Sequence, residues 1–168
     1  FCIHTRYSTQ QAILEDIVAS LYAQGMRKLI ILSGHGGNNF KGMIRDLAFV
    51  YPDFLIIAAD WFSIVPPKDY FEAVVDDHAG ESETSVMMHY HPELVNLDEA
   101  GDGESKPFAI PSLNEKVGWA PRHWDKATVD SGVGNPKKAS AEKGERYMKP
   151  VVEKLSKLFT EVGQGSLY

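Results

Sequence analysis

The fold class is decided by KLIILSGHGGNN, residues 28–39, in which a short apolar run passes directly into a glycine-rich segment. The run Lys28–Leu32 shows no alternation of polar and apolar residues, so it predicts a strand buried on both faces of a sheet. The segment Ser33–Asn39 predicts a loop at the carboxyl end of that strand, with His35 near its centre. In open α/β sheets this end of a strand is where ligands bind.

Helix and strand signals alternate on both sides of this stretch. Before it, Ser8 and Gln11 form a capping-box pattern at the start of a helix, which Gly25 is expected to end. After it, a second amphipathic helix begins at Phe40 and ends at Pro52, and residues 54–59 form another apolar strand. Parallel strands joined by helices are therefore expected, with helices covering the sheet. The apolar residues of the first helix are Ile13, Leu14, Ile17, Val18, Leu21 and Tyr22.

The second half of the chain is less regular. Residues 80–90 predict a short helix, whereas residues 96–134 read mostly as loop, rich in Gly, Pro, Asp and Ser. A loop of that length carries function or contains an unrecognised strand. Asn135-Pro136 predicts a helix start, and an apolar stripe between Met148 and Val162, interrupted by Pro150, predicts a helix that packs on the core.

Composition excludes several classes of protein. A length of 168 residues with 43% hydrophobic and 24% charged residues is typical of one globular domain. The net charge of −6 and the lack of long basic runs argue against nucleic-acid and anionic-membrane partners. The apolar runs fall short of the roughly 20 residues that cross a bilayer. Because Cys2 is the single cysteine, it forms no internal disulfide, which indicates a reducing, cytoplasmic setting.

Two segments carry side chains suited to chemistry. His35 presents an imidazole at a strand end, although it could equally cap the next helix in a tight turn. A phosphate loop is a third interpretation, but the spacing GxGxxG and the P-loop lysine are missing. The second segment, DDHAGESETS at residues 76–85, places four carboxylates and one imidazole within eight residues. Such donors suit a divalent metal, and the alternative is a solvated acidic helix start.

The motifs LIILSGHGGNN (29–39) and HAGESETS (78–85) together resemble the creatininase family, which includes creatinine amidohydrolases and related metal-dependent amide hydrolases. Residues 131–136 and 141–145 resemble the family's last glycine turn and helix. The resemblance implies an α/β fold, a three-layer α/β/α sandwich with a mainly parallel sheet. Residues 1–168 would then be a single creatininase-like domain that lacks the family's N-terminal segment, and so the C-terminal two thirds of a longer domain.

The resemblance also implies a dinuclear centre of zinc or manganese, with iron as a further choice. His35 matches a histidine ligand of the family, while a glutamate ligand of creatininase falls at Gly37. We therefore expect Glu81 to be the compensating ligand, with Glu83 as the second choice. The two residues are two apart on a helix, so they point in different directions and one of them is expected to face the metal.

The remaining site residues are assigned in the same way. His78 matches a catalytic histidine of the family, and Asp77 is expected to orient it. The backbone N–H groups of Gly36 and Gly37 are expected to stabilise an oxyanion. Trp61 matches a substrate-site tryptophan, and it is expected to shape the pocket together with residues 119–124. Its aromatic partner in creatininase is replaced by Val74, which argues against creatinine as the substrate.

These assignments predict a metal-dependent amidohydrolase that cleaves a cyclic amide or a formamide-type C–N bond with metal-activated water. The alternative is a non-catalytic or regulatory subunit that binds a small molecule on the same fold with a degenerate metal site. A phosphate-binding α/β domain is a weaker third hypothesis. Since creatininase forms hexamers, the resemblance also implies a homo-oligomer.

Overall fold

The computed structural model describes residues 4–166. Cys2 lies outside the described residues, and so does the prediction about its disulfide. The chain divides into two compact units. The first unit contains the described residues up to Ile64 and those from Glu153 onward, and the second unit is Val65–Val152.

The regular elements within residues 4–166 are six helices and four strands, joined by short 3₁₀ turns such as Trp61–Ser63 and Pro136–Lys138. The helices are α1 (Tyr7–Ala23), α2 (Lys41–Val50), α3 (Glu81–Tyr90), α4 (Pro111–Asn114), α5 (Trp124–Ala127) and α6 (Ala141–Gln164). The strands are β1 (Lys28–Ser33), β2 (Leu55–Asp60), β3 (Asp76–His78) and β4 (Val133–Gly134).

The sheet of the first unit confirms the predicted parallel pairing. β1 and β2 pair in parallel register, from Lys28 opposite Leu55 to Ser33 opposite Asp60. Because the strands are parallel, their carboxyl ends meet at one edge of the sheet. The glycine-rich loop after Ser33 and the turn that begins at Trp61 therefore leave the sheet at the same edge.

Helices α1 and α2 pack on this sheet through one apolar core. The predicted apolar stripe of α1 is correct for Leu14 and Val18, which are buried, but Ile13 and Ile17 are exposed. Leu14 and Val18 share the face of the helix that packs on the core, whereas Ile13 and Ile17 share the adjacent face. The expectation that β1 is buried on both faces is wrong, since Leu32 is half-exposed and the strand pairs with β2 alone among the described residues. The core consists of Leu14, Val18, Met43, Leu47, Phe54 and Ile56.

The predicted capping box at Ser8 and Gln11 is wrong. Helix α1 begins at Tyr7, so Ser8 already lies inside its first turn. The carbonyl of Arg6 accepts hydrogen bonds from the N–H groups of Thr9 and Gln10, and no side chain caps the helix. The start of α1 is thus fixed by the backbone rather than by a hydroxyl.

The second unit contains a small antiparallel pair that the sequence did not resolve. β3 pairs with β4, with Asp76 opposite Gly134 and His78 opposite Val133, and the register is irregular between these pairs. β4 lies within residues 96–134, which the sequence predicts to be mostly loop, so this segment contains a strand that the sequence pattern does not reveal. The buried core of this unit is centred on Tyr147, whose hydroxyl donates a hydrogen bond to the Val65 carbonyl at 3.2 Å.

Helix α6 follows the predicted apolar stripe only in part. Val151 and Leu155 are buried, whereas Val152 and Phe159 are exposed. Pro150 lies inside the helix without ending it. Among the helices of residues 4–166, none combines the length and apolar character needed to span a membrane.

Candidate active site

The glycine-rich loop of the first unit is closed on itself. His35 is exposed, and its Nδ1 accepts a hydrogen bond from the Gly37 N–H at 2.8 Å. The buried Ser33 hydroxyl donates a hydrogen bond to the His35 carbonyl at 3.3 Å. A Cβ added at Gly36 would lie 3.8 Å from the ring of Phe62, which packs edge-on against Trp61. The loop therefore lies beside the turn that carries Trp61.

The hydrogen bond from the Gly37 N–H to His35 fixes the tautomer of the neutral imidazole. Because Nδ1 accepts a hydrogen bond, the neutral imidazole carries its proton on Nε2. A metal bound at Nε2 needs that nitrogen without its proton, with Nδ1–H donating to a partner. The Gly37 N–H is likewise engaged by the imidazole. The roles of His35 as a ligand and of Gly37 as an oxyanion donor stay predictions, and both require this contact to open.

In the second unit, a tight turn joins β3 to α3 and presents His78. Ala79 adopts a left-handed conformation with φ of 50°, a strained state that costs of order 1 kcal/mol for a non-glycine residue. Its N–H donates to Glu83 Oε2 at 2.7 Å, and its carbonyl accepts from the Thr84 hydroxyl. Both contacts come from the first turn of α3, so the helix start holds the strained residue beside His78.

Asp76 closes the other side of this turn. Its carboxylate oxygens lie 3.1 and 3.3 Å from the N–H of Ser82, which donates to them, so Asp76 caps a backbone group in the first turn of α3. Burial raises the pKa of the Asp76 carboxyl, and the charges of Glu81 and Glu83 raise it further. The hydrogen bonds from Ser82 oppose this shift. Asp76 thus has a structural role within the acidic segment.

Glu81 is fully buried, and protein groups occupy both of its oxygens. Oε2 accepts hydrogen bonds from the N–H groups of Glu72 at 2.9 Å and Ala73 at 2.7 Å. Oε1 lies 2.5 Å from Lys143 Nζ, and this hydrogen bond is the main cause of a raised Lys143 pKa. Glu81 therefore ties residues 72–73 and the start of α6 to α3. Its role as a metal ligand stays a prediction that requires these donors to be displaced.

The ion pairs around Lys143 extend to the surface. Its Nζ also donates to Glu72 Oε1 at 2.9 Å, while Lys138 Nζ donates to Glu72 Oε2 at 2.8 Å. These hydrogen bonds lower the pKa of Glu72 to about 2. Since the Glu72 side chain is more than half exposed, the network is buried at Glu81 and solvated at Glu72.

His78 and Glu83 face away from that network. Glu83 Oε2 lies 3.9 Å from His78 Nδ1. The imidazole stands edge-on to the ring of Trp124, with 5.0 Å between centroids. The His78 side chain is 36% exposed and the Glu83 side chain is 46% exposed. An accessible imidazole with a carboxylate beside it and an aromatic wall can carry a proton to or from a small molecule.

Asp77 belongs to the same cluster but faces another partner. Arg122 Nη2 donates a short hydrogen bond to Asp77 Oδ2, and the guanidinium carbon lies 4.7 Å from the centroid of the Trp124 ring. The carboxylate beside the His78 imidazole is therefore that of Glu83 rather than that of Asp77. We call Asp77, His78, Glu83, Arg122 and Trp124 the histidine cluster.

Sequence reasoning included Arg122 and Trp124 among residues 119–124 but gave neither of them a role of its own. It expected residues 119–124 to shape a pocket, and the signal available was a run of polar and aromatic side chains, PRHW at 121–124, inside a long loop. Nothing in the spacing shows which of these side chains returns to β3. Lys143 was also missed, because it lies 62 residues beyond its partner Glu81.

A cavity of about 550 Å³ lies in the second unit. It runs between the segment that precedes β3 and the segments around Ser105 and Thr128, which form an isolated antiparallel bridge. Val74, the position that replaces the family's aromatic side chain, lines this cavity and is fully exposed. The wall at this point is thus a short aliphatic side chain.

The described residues do not complete a metal centre. Within residues 4–166, no three His, Cys, Asp or Glu side chains are grouped so that they could hold a metal ion. The predicted ligand His35 belongs to the first unit, while Glu81 and Glu83 belong to the second. The metal centre therefore stays a prediction, and we derive no chemical step through a metal.

Comparison with known proteins gives this geometry its context. A Bacteroides fragilis NCTC 9343 structure described as a candidate creatinine amidohydrolase is 83% identical, with a TM-score of 0.97 over 100% of this chain and 66% of that chain. The mycofactocin precursor peptide peptidase of Mycobacterium ulcerans (strain Agy99) is 33% identical over 75% of this chain and 45% of its own length. The creatinine amidohydrolase of Pseudomonas putida is 24% identical over 92% of this chain and 63% of its own length.

These matches confirm the predicted α/β fold of the creatininase type and the predicted resemblance. The chain spans about half to two thirds of the length of the relatives that it matches. The family model described as creatininase, creatinine amidohydrolase, matches residues 1–159, which include both units. Since this match takes in nearly the whole chain, the protein belongs to the creatininase family.

Proposed function

We propose that the protein is a metal-dependent amidohydrolase that cleaves a small cyclic amide or a formamide-type C–N bond. The observation that carries the proposal is the accessible imidazole of His78, held at a strained turn with Glu83 3.9 Å from its Nδ1. Two relatives of this chain are named as a creatinine amidohydrolase and as a mycofactocin precursor peptide peptidase, which supports hydrolysis of an amide. A site that moves one proton suits such a reaction, in which the leaving nitrogen must be protonated.

The residues of the chain account for the proton transfers. His78 takes a proton from the attacking water, whose oxygen bonds to the carbonyl carbon. The same imidazole then gives this proton to the nitrogen as the C–N bond breaks, which leaves a carboxylic acid and an amine. Glu83 stabilises the imidazolium that exists between the two transfers. Arg122 keeps Asp77 and Trp124 in place around the ring.

The proposal includes a divalent cation, which would acidify the attacking water and polarise the carbonyl when bound. Zinc, manganese and iron accept mixed imidazole and carboxylate ligands. The ligands that we propose from this chain are His35 and one of the two glutamates, Glu81 or Glu83. Of the two glutamates, Glu83 has one oxygen without a hydrogen bond among residues 4–166, which favours it over Glu81.

Val74 and the cavity beside it bear on the substrate. An aliphatic side chain at this position gives less stacking surface than an aromatic one, which supports a substrate other than creatinine. The cavity volume of about 550 Å³ is in the range of small-molecule sites. We therefore propose a small-molecule amide, acted on by a homo-oligomeric enzyme.

The decisive experiment uses the protein expressed from its complete coding sequence. Its metal content is measured, and hydrolysis is assayed with cyclic amides and formamides before and after chelation. We expect His78→Gln to lower kcat by about 10²- to 10⁴-fold. Its urea-unfolding midpoint should stay close to that of the wild type, because the ring is accessible and makes no buried hydrogen bond.

His91→Gln is the matched control. His91 lies in the same unit at the end of α3, and its ring is 59% exposed beside Glu93. It should retain wild-type kinetics. A His78→Gln protein that hydrolyses amides at the wild-type rate contradicts the proposal. A wild-type protein that binds small amides without hydrolysing them favours the non-catalytic binding subunit instead.

A further inference from the structure

Arg122 combines a fixed position with unused hydrogen-bonding capacity. A guanidinium carries five N–H donors in a planar fork. Among the described residues, the contacts of Arg122 are one hydrogen bond to Asp77 and the face of Trp124. The side chain is 32% exposed. The fork therefore lies against an aromatic surface, while most of its donors have no hydrogen-bond partner among the described residues.

The ion pair with Asp77 does not account for this arrangement as a stabilising contact. The Asp77 side chain is 55% exposed, and exposed ion pairs contribute about 0–1 kcal/mol to stability. A carboxylate that pairs with one N–H of the fork leaves the paired, parallel geometry of Arg–carboxylate recognition unused. A second carboxylate could thus bind the open donors, or could replace Asp77, at little cost.

The unused donors of Arg122 belong to the same cluster as His78. Both the guanidinium and the imidazole contact the ring of Trp124, at 4.7 and 5.0 Å between centres. Both also neighbour Asp77, which is adjacent to His78 in β3. A small molecule whose amide nitrogen reaches His78 therefore shares the surface of Trp124 with a positive charge. Glu83, 3.9 Å from Nδ1 of His78, repels an anion, so the positive charge of Arg122 is the favourable partner for a carboxylate in this cluster.

We infer that Arg122 is a specificity residue that binds a carboxylate of the substrate, so that the substrate class is a small amide bearing a carboxylate. The inference rests on the proposed function, and it names the substrate class of the same site. Arg122 contacts no reacting atom, and its contribution is to affinity and orientation. Its loss should therefore raise KM for anionic amides more than it lowers kcat.

The test compares two pairs of compounds that differ by a carboxylate, using the complete protein with its natural metal. Dihydroorotate is paired with dihydrouracil, and N-formylglycine with N-methylformamide. For at least one pair, we expect wild-type kcat/KM to be about 10-fold or more higher for the anionic member. Arg122→Gln should remove that preference, raising KM for the anion about 10- to 100-fold. The KM of the neutral member should change less, and any loss of kcat from the release of Asp77 and Trp124 should be common to both members of a pair. Arg122→Lys should restore part of the preference, because it keeps the charge without the fork.

Arg146→Gln, at an exposed position in the same unit, is the control for loss of a positive charge. Equal loss toward both members of a pair would show a structural role and overturn the inference, as would a wild-type protein without preference in either pair. If the wild type hydrolyses none of the four compounds, the proposed function fails for them, and calorimetric binding decides the inference. Anions that bind the wild type about 10-fold more tightly than Arg122→Gln then support it, and equal binding overturns it.

Discussion

The glycine-rich loop at residues 33–39 and the acidic segment at residues 76–85 carry the two motifs of the family, and the structure builds them in opposite ways. In the loop, the one titratable side chain turns back on its own backbone, with His35 accepting from Gly37. In the acidic segment, the side chains separate into two sets. Asp76 and Glu81 satisfy backbone and lysine donors, while the histidine cluster stays accessible.

The difference shows that a dense motif is not one site. Glu81 and Glu83 are two residues apart on the same helix, yet one is fully buried and the side chain of the other is 46% exposed. Helical geometry separates them by more than half a turn, so one carboxylate organises the fold while the other is free for chemistry. In the glycine-rich loop, a single contact decides which nitrogen of His35 is available.

The largest effect that separates the two sets is expected from Glu81→Ala. The change leaves the Lys143 ammonium without its buried partner and leaves two backbone N–H groups without an acceptor. Removing one member of a buried pair is strongly destabilising, and because Lys143 keeps Glu72 we expect a loss of about 2–4 kcal/mol. Urea unfolding followed by tryptophan fluorescence measures this free energy.

Glu83→Ala is the matched variant two residues away. Its side chain accepts from Ala79 at the surface, so the free energy of unfolding should change by less than about 1 kcal/mol, while amide hydrolysis should fall. The opposite pattern, a stable Glu81→Ala protein that has lost metal and activity, would establish Glu81 as the metal ligand and contradict the structural role given to it here.

The sequence predicted what depends on local periodicity and on motifs. The parallel pairing of β1 with β2 and helix α3 follow from patterns a few residues long. The helix start predicted at Asn135-Pro136 is a 3₁₀ turn at Pro136–Lys138, and α6 begins at Ala141. The burial of Glu81 could not be predicted, because it depends on Lys143, which is distant in sequence. The role of Arg122 was missed for the same reason. Long-range ion pairs leave no spacing signal. The sequence therefore located the acidic segment but did not show which of its carboxylates are buried and which are accessible.

A second, smaller effect concerns the exposed end of the lysine network. The pKa of Glu72 is lowered from its ordinary 4.5 to about 2 by Lys138 and Lys143. A lowered carboxyl pKa stabilises the folded state above the ordinary pKa, and that contribution disappears as the pH falls from about 4.5 towards 2. Glu72→Gln should therefore flatten the decline of the urea midpoint over this range.

The raised pKa of Asp76 has the opposite effect on the pH dependence of stability. Because Asp76 is present in both the wild type and Glu72→Gln, this effect cancels when the two are compared. Glu115→Gln, at an exposed position of the same unit, removes a carboxylate outside the network. Glu115→Gln should leave the decline of the urea midpoint between pH 4.5 and 2 unchanged. Parallel curves for wild type and Glu72→Gln between pH 4.5 and 2 would show that the lysines do not stabilise this carboxylate.

The smallest effect is expected in the glycine-rich loop, from Gly37→Ala. An added Cβ would lie 3.0 Å from Nδ1 and 3.1 Å from Cε1 of His35, so the ring must shift and its hydrogen bond must weaken. Because the loop is exposed, the free energy of unfolding should change by less than about 1 kcal/mol. Nitrogen-15 NMR of the imidazole should show the Nε2–H tautomer in the wild type and a mixture in Gly37→Ala. Gly34→Ala, whose Cβ would meet nothing within 4 Å, should keep the wild-type tautomer, and an unchanged tautomer in Gly37→Ala would mean that another contact fixes the ring.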